Sequence, residues 1–141
     1  MSERATGRGR SPRARPRATP GGVEGDVARG DVLWICCDPS LGAEPKKTRT
    51  CVVVSNDVAN RYGQAVTVVP TQAYSAERAG RAYVADLRAP RSTLTADRVA
   101  NCSMVMTYDR ARIVGRAGRV TRDALAAIDA ALAVHLGLKT A

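Results

Sequence analysis

Apolar and β-branched residues fall along the chain in short runs separated by turn residues, a period that predicts strands over most of its length. Val32, Leu33, Trp34 and Ile35 form one such run, ending at Cys37 before Asp38-Pro39, where a proline cannot supply a ladder donor. Residues 51–54 and 66–69 are denser in valine, which favours the buried centre of a sheet. Residues 83–87, 98–106 and 113–118 supply three further strands, and residues 57–62 a helical turn. Between the first two strands, residues 38–50 form a polar loop, longer than the roughly 2 to 5 residues of a hairpin connection. The period then changes. Thr121 is placed to cap a helix, Asp123 sits near its positive end, and Leu125, Ile128, Leu132 and Leu136 recur at helical spacing before Gly137 stops it. The expectation is a β-rich α+β domain with one C-terminal amphipathic helix packed on the sheet.

Length and charge sharpen this picture. A chain of 141 residues suits one folded domain, and 22 Lys and Arg against 13 Asp and Glu give it a formal charge of +9. Residues 1–22 hold six Arg, four Gly and three Pro but no Val, Ile, Leu or aromatic residue, which predicts a disordered Arg-rich tail ahead of a domain spanning 23–141. Six Arg against Glu3 give the tail +5, leaving +4 for the domain, so any salt-sensitive attraction to phosphates is concentrated in the tail. No apolar run approaches the roughly 18 to 20 residues of a membrane span, and the basic N-terminus lacks a signal peptide's apolar stretch of about 7 to 15 residues. A cytoplasmic protein without a membrane partner is expected.

The residues available for chemistry are few. Cys36, Cys37, Cys51 and Cys102 lack zinc-ligand spacing and read as reduced, packed thiols. His135 is the single imidazole and reads as a helix-terminal residue, so neither a Ser-His-Asp triad nor a His-based metal centre is expected, and no cofactor is called for. What remains is cationic. The 38–50 loop carries Glu44, Lys46, Lys47 and Arg49, and Arg49 stands where the loop enters a strand, able to grip phosphate with a forked donor pair. A solvated surface charge is the alternative for Arg49. Trp34 reads as a core anchor or a dimer contact rather than a platform for a base.

A set of motifs in fixed order resembles the MazF/PemK/Kid toxins. It comprises Arg29-Gly30-Asp31 opening the strand with Trp34, then Asp38-Pro39, Gly42-Ala43-Glu44, and Arg49 leading Val52-Val53-Val54-Ser55-Asn56-Asp57. Val68-Val69-Pro70, Asp97-Arg98-Val99, Thr107-Tyr108-Asp109, Gly115-Arg116-Ala117-Gly118-Arg119 and the terminal helix continue the likeness over roughly residues 28–138. The resemblance implies a small SH3-like β-barrel with a C-terminal helix, a homodimer, and a toxin that cuts single-stranded mRNA or tRNA without a metal until a cognate antitoxin fills its groove. The substrate's own 2′-hydroxyl would be the nucleophile, leaving a 2′,3′-cyclic phosphate and a 5′-hydroxyl.

Carried over residue by residue, the family's catalytic arginine falls on Arg49. Its second catalytic residue, a threonine after the next strand, meets Pro70-Thr71-Gln72, where Gln72 holds the threonine position and Thr71 stands one place early. Strand alternation turns these two to opposite faces unless a bulge intervenes at Pro70, so either Thr71 is re-aimed or the Gln72 amide replaces the hydroxyl. Residues expected to meet RNA are Glu44, Lys46, Lys47, Ser103, Met104 and Met106. The two methionines stand where relatives carry an amide and a cation, and read either as core packing or as a groove less able to discriminate bases. A silent binding module on the same barrel, as in the gyrase-binding CcdB toxins, is the rival reading.

Overall fold

The computed structural model describes residues 26–139, and the Arg-rich tail lies outside the described residues. Seven strands form the body: β1 (Asp31–Cys36), β2 (Thr48–Val53), β3 (Ala65–Ala73), β4 (Val84–Asp86), β5 (Arg98–Asn101), β6 (Met106–Asp109) and β7 (Ile113–Arg119). They make one antiparallel sheet in the order β4-β5-β3-β2-β1-β7, with β6 also pairing β3. The helices are α1 (Asp57–Tyr62), α2 (Ala76–Ala79) and α3 (Arg122–Leu136). As expected, the domain is a curled β-rich sheet with a C-terminal helix. The sheet is not closed by a ladder among the described residues; a single bridge between Ser92 and Val120 reaches across its edge.

Adjacent valines feed two cores because successive strand residues point to opposite faces. Val32, Val52 and Val69 pack with Leu87, Cys102 and Ile128 beneath α3. Leu33, Val53 and Val68 pack on the other face with Ile35, Cys51, Tyr108 and Ile113. The sheet centre is therefore covered on both sides, as its valine content implied. Of the two readings of Trp34, the core anchor does not hold. Trp34 shares a face with Val32 but is 43% exposed and belongs to neither core.

Helix α3 is bounded by the residues that announced it. Thr121 Oγ1 accepts from Ala124 N at 3.2 Å, and Gly137 takes a left-handed φ of 69° while Leu138 N donates to Ala133 O at 2.9 Å. No helix of the described residues is long and apolar enough to cross a membrane.

Three strand boundaries differ from those the sequence predicts. The strand expected over 98–106 is two, because Asn101 Oδ1 accepts from both Ser103 N (3.0 Å) and Ser103 Oγ (2.6 Å) and turns the chain into a 3₁₀ turn, Cys102–Met104. Strand β3 runs through Pro70 to Ala73. Pro70 lies in the gap where β3 ends its pairing with β6 at Val68 and begins pairing with β5 at Thr71. Strand β2 starts at Thr48, so Arg49 lies within the strand opposite Ile35 rather than at the end of the loop.

Close packing also dictates a glycine. A Cβ on Gly118 would lie 2.4 Å from Thr93 Oγ1, a short side chain held by Arg119 N at 2.9 Å. Gly118→Ala is expected to cost about 1–3 kcal/mol by overpacking, read as a lower urea midpoint; an unchanged midpoint would show that the 92–94 segment yields freely.

Candidate functional site

Strands β2 and β3 and the loop before β2 enclose a cleft of about 470 Å³. Arg49, Thr71 and Gln72 all line it, together with Glu44, Lys46, Arg78, Arg98 and Met104. Lys47, Ser103 and Met106 do not line this cleft. Lys47 is an exposed loop residue with φ of 64°, Ser103 is turned onto Asn101, and Met106 packs against the core that contains Val68.

Each lining residue has a defined local setting. Arg49 Nε donates to Lys46 O at 2.8 Å, which ties the guanidinium to the loop, and its Nη groups have no hydrogen-bond partner among the described residues. Glu44 uses one carboxylate oxygen to accept from Leu41 N at 2.7 Å, closing a turn, and is the only carboxylate among the residues lining this cleft. Lys46 Nζ is folded back onto the carbonyl of Gly42.

Thr71 is buried and Gln72 half-buried in alternation along β3, and the β2–β3 pairing keeps its register from Val53–Val68 to Cys51–Pro70, where it ends. Thr71 is only 2% exposed, and its hydroxyl lies 2.5 Å from that of Thr50. Gln72 Oε1 accepts from Asn101 Nδ2 at 3.2 Å, so its NH₂ group has no partner among the described residues. Asn101 thus joins Gln72 to the 3₁₀ turn that carries Met104.

Sequence reasoning missed Arg78 and Arg98. Ser75 caps α2 by accepting from Arg78 N at 3.1 Å, and Arg78 Nη1 donates to Ala73 O at 2.8 Å, which holds this side chain over the end of β3. Arg98 opens β5 opposite Ala73, with Nε 3.0 Å from Thr71 Oγ1 and Nη2 3.0 Å from Thr71 O. Burial, and then the charges of Arg49 and Arg78, push its pKa below the usual arginine value. None of Arg49, Arg78 and Arg98 forms a salt bridge with a carboxylate among the described residues. The only early signal for Arg98 was its place beside Asp97 and Val99 at a strand start.

A second cleft of about 530 Å³ adjoins the first and shares Arg49 and Arg98 with it; Trp34, Leu94 and Thr50 line its other walls. The combined surface offers fixed cations, one neutral amide donor and one exposed indole, a set suited to an unpaired polyanion with bases. Among the described residues no group of three or more His, Cys, Asp or Glu is placed to hold a metal ion. The four cysteines are free, three of them buried, and burial pushes the Cys102 thiol up to about 12.

Comparison with known proteins identifies the family. Residues 28–136 match the sequence model of the PemK-like, MazF-like toxins of type II toxin–antitoxin systems. The chain is 35% identical over 117 residues to Endoribonuclease MazF9 of Mycobacterium tuberculosis, covering 79% of this chain and 98% of that protein. The crystal structure of MazF from Deinococcus radiodurans superposes with a TM-score of 0.70 at 21% identity, over 82% of this chain and 100% of that one. An endroribonuclease bound to its cognate antitoxin, from a mycobacterial species, gives 0.65 at 22% identity, over 82% and 99%. The structures establish the same fold, and the sequence match spans both the strand bearing Arg49 and the helix that closes the domain. The chain therefore belongs to the PemK-like, MazF-like toxin family of type II toxin–antitoxin systems, whose relatives include endoribonucleases.

Proposed function

We propose that the protein is a toxin that cleaves single-stranded mRNA or tRNA at the Arg49 cleft, using the substrate's own 2′-hydroxyl, and so inhibits translation and growth. The observation that carries this reading is the cluster of Arg49, Arg78 and Arg98 around one cleft, none of them paired with a carboxylate among the described residues. Such cations are matched by a phosphate chain. In the reaction the 2′-oxygen bonds to phosphorus while the bond from phosphorus to the 5′-oxygen breaks.

Glu44 takes the 2′-hydroxyl proton through the carboxylate oxygen that Leu41 leaves free. Arg49 stabilises charge on the non-bridging oxygens, and the Gln72 NH₂ group adds a neutral donor beside it. Water protonates the departing 5′-oxygen. Thr71, with its hydroxyl already engaged, contributes by what it holds in place. Lys46 and Met104 border the RNA path, while Lys47, Ser103 and Met106 act from outside the cleft. Metal and cofactor play no part in this scheme.

The partners are unpaired RNA and a cognate antitoxin, within a homodimer for which exposed Trp34 supplies apolar area. The site of action is the cytoplasm, where its RNA substrates lie. The six arginines of residues 1–22, outside the described residues, add salt-sensitive affinity for RNA.

Incubation of the full chain with a long single-stranded RNA in EDTA tests the reading. Discrete cuts ending in 2′,3′-cyclic phosphate and 5′-hydroxyl are expected. RNA left intact would overturn it and favour a silent binding module, whereas cuts whose ends bear a 5′-phosphate would overturn the 2′-hydroxyl as nucleophile.

A further inference from the structure

Arg98 occupies an unusual position for a charged side chain. It is half-buried, close to two other arginines, and without a carboxylate partner among the described residues. Burying a cation beside like charges is unfavourable unless an anion relieves it. Its guanidinium nevertheless has a fixed plane. Nε and Nη2 form one edge, and that edge is held by two oxygens of a single residue, Thr71 Oγ1 and Thr71 O, each at 3.0 Å. Thr71 is in turn locked by Thr50 at 2.5 Å in a site that is 2% exposed.

An arginine has five N–H donors. Thr71 takes two of them, and the end-on pair from Nη1 and Nη2 stays available as a fork that matches two phosphate oxygens. The orientation is set before a ligand arrives, so little side-chain freedom is lost on binding. Position selects the ligand further. Arg98 and Arg49 both line the two adjoining clefts, so a strand passing from one cleft to the other crosses both guanidinium groups at the divide.

We propose that Arg98 is a phosphate-binding residue of this site, oriented by Thr71, and that it grips the RNA backbone at the divide between the clefts alongside Arg49. This rests on the RNA-cleavage reading and extends it to residues outside the Arg49 loop. Thr71 thereby becomes a positioning residue acting through Arg98. Because a phosphate contact reads no base, Arg98 sets affinity and leaves the cleavage motif alone.

The test uses the full chain and a single-stranded RNA oligonucleotide made 2′-deoxy at the cut position, with binding measured by fluorescence anisotropy across a salt series. Cut sites and rates are mapped on the unmodified RNA in parallel. Arg98→Gln is expected to weaken binding about tenfold to a hundredfold, the worth of a charge-assisted hydrogen bond. The dependence of log affinity on log salt should become shallower by about 0.7, one single-strand phosphate contact. The cut motif should be unchanged.

Arg98→Lys keeps the charge but not the fork, so affinity should fall with the salt slope retained. Thr71→Val, which leaves the charge and frees one anchor, should do the same to a smaller degree. If Arg98→Gln does not fold, Arg98→Lys decides. Wild-type affinity in a folded Arg98→Gln or Arg98→Lys protein, or an altered cut motif, overturns the proposal. Failure of the unmodified wild-type protein to cut RNA overturns the functional reading instead, and the binding series distinguishes the two.

Discussion

Arg49→Ala is expected to reduce RNA cleavage by at least about a hundredfold to a thousandfold, the usual cost of removing a donor from an anionic transition state. The fold should hardly notice. Arg49 is an exposed residue whose one side-chain hydrogen bond among the described residues goes from Nε to the loop carbonyl of Lys46, and its side chain belongs to neither core. Stability should shift by no more than about 0.5 kcal/mol, as for other surface substitutions away from special features. Arg49→Lys should recover only part of the rate, because an ammonium group lacks the fork that spans two phosphate oxygens. Single-turnover cleavage of one RNA by wild type and both variants, with urea unfolding alongside, provides the check. An Arg49→Ala protein that is folded and cuts at the wild-type rate would remove Arg49 from the mechanism. The same assay on Gln72→Ala reads the share of the neutral amide.

The second large effect is on stability. Ile128→Ala is expected to cost about 3 kcal/mol, within the range for truncating a buried aliphatic side chain to alanine. Ile128 is fully buried on the inner face of α3, packed into the core that contains Val32, Val52, Val69 and Leu87. Domains of this size have only about 5–15 kcal/mol of stability, so the loss is a large share of the total. The consequence extends to the site because α3 packs on β4 and on the 102–104 turn, next to the Asn101 that holds Gln72. Urea denaturation of the variant checks the magnitude, and cleavage measured against temperature should fall off earlier than in wild type. A loss below about 1 kcal/mol would show that the helix rests on its neighbours less than its burial implies.

Much of the fold was legible because local rules and tertiary packing agree at the same residues. The valine pairs at 52–53 and 68–69 read as a sheet centre and are covered on both faces. Thr121 and Gly137 bound α3 through hydrogen bonds made within a few residues, which is why their sequence signals were reliable. The 98–106 break was harder to see. Its cause, Asn101 bonding Ser103, is local, but the apolar residues around it carry the period of an uninterrupted strand. For Trp34 the apolar run left a core anchor and a dimer contact both open, and only its 43% exposure removes the first.

By itself, then, the sequence determined the strand runs, the capped C-terminal helix and the family likeness, and it singled out Arg49 as a candidate, because each is encoded by neighbours in the chain or by an ordered motif. Tertiary structure alone decided which residues surround Arg49. Arg98 is 27 residues from Thr71 along the chain, and the two meet only through the β3–β5 register. Pairing with β2 and β5 also occupies the Thr71 hydroxyl while leaving the Gln72 NH₂ without a partner among the described residues, and no propensity or spacing in one strand records it. Cross-strand pairing is a non-local property set by how two faces are buried at once, so the cationic site it assembles becomes visible only when the sheet is complete.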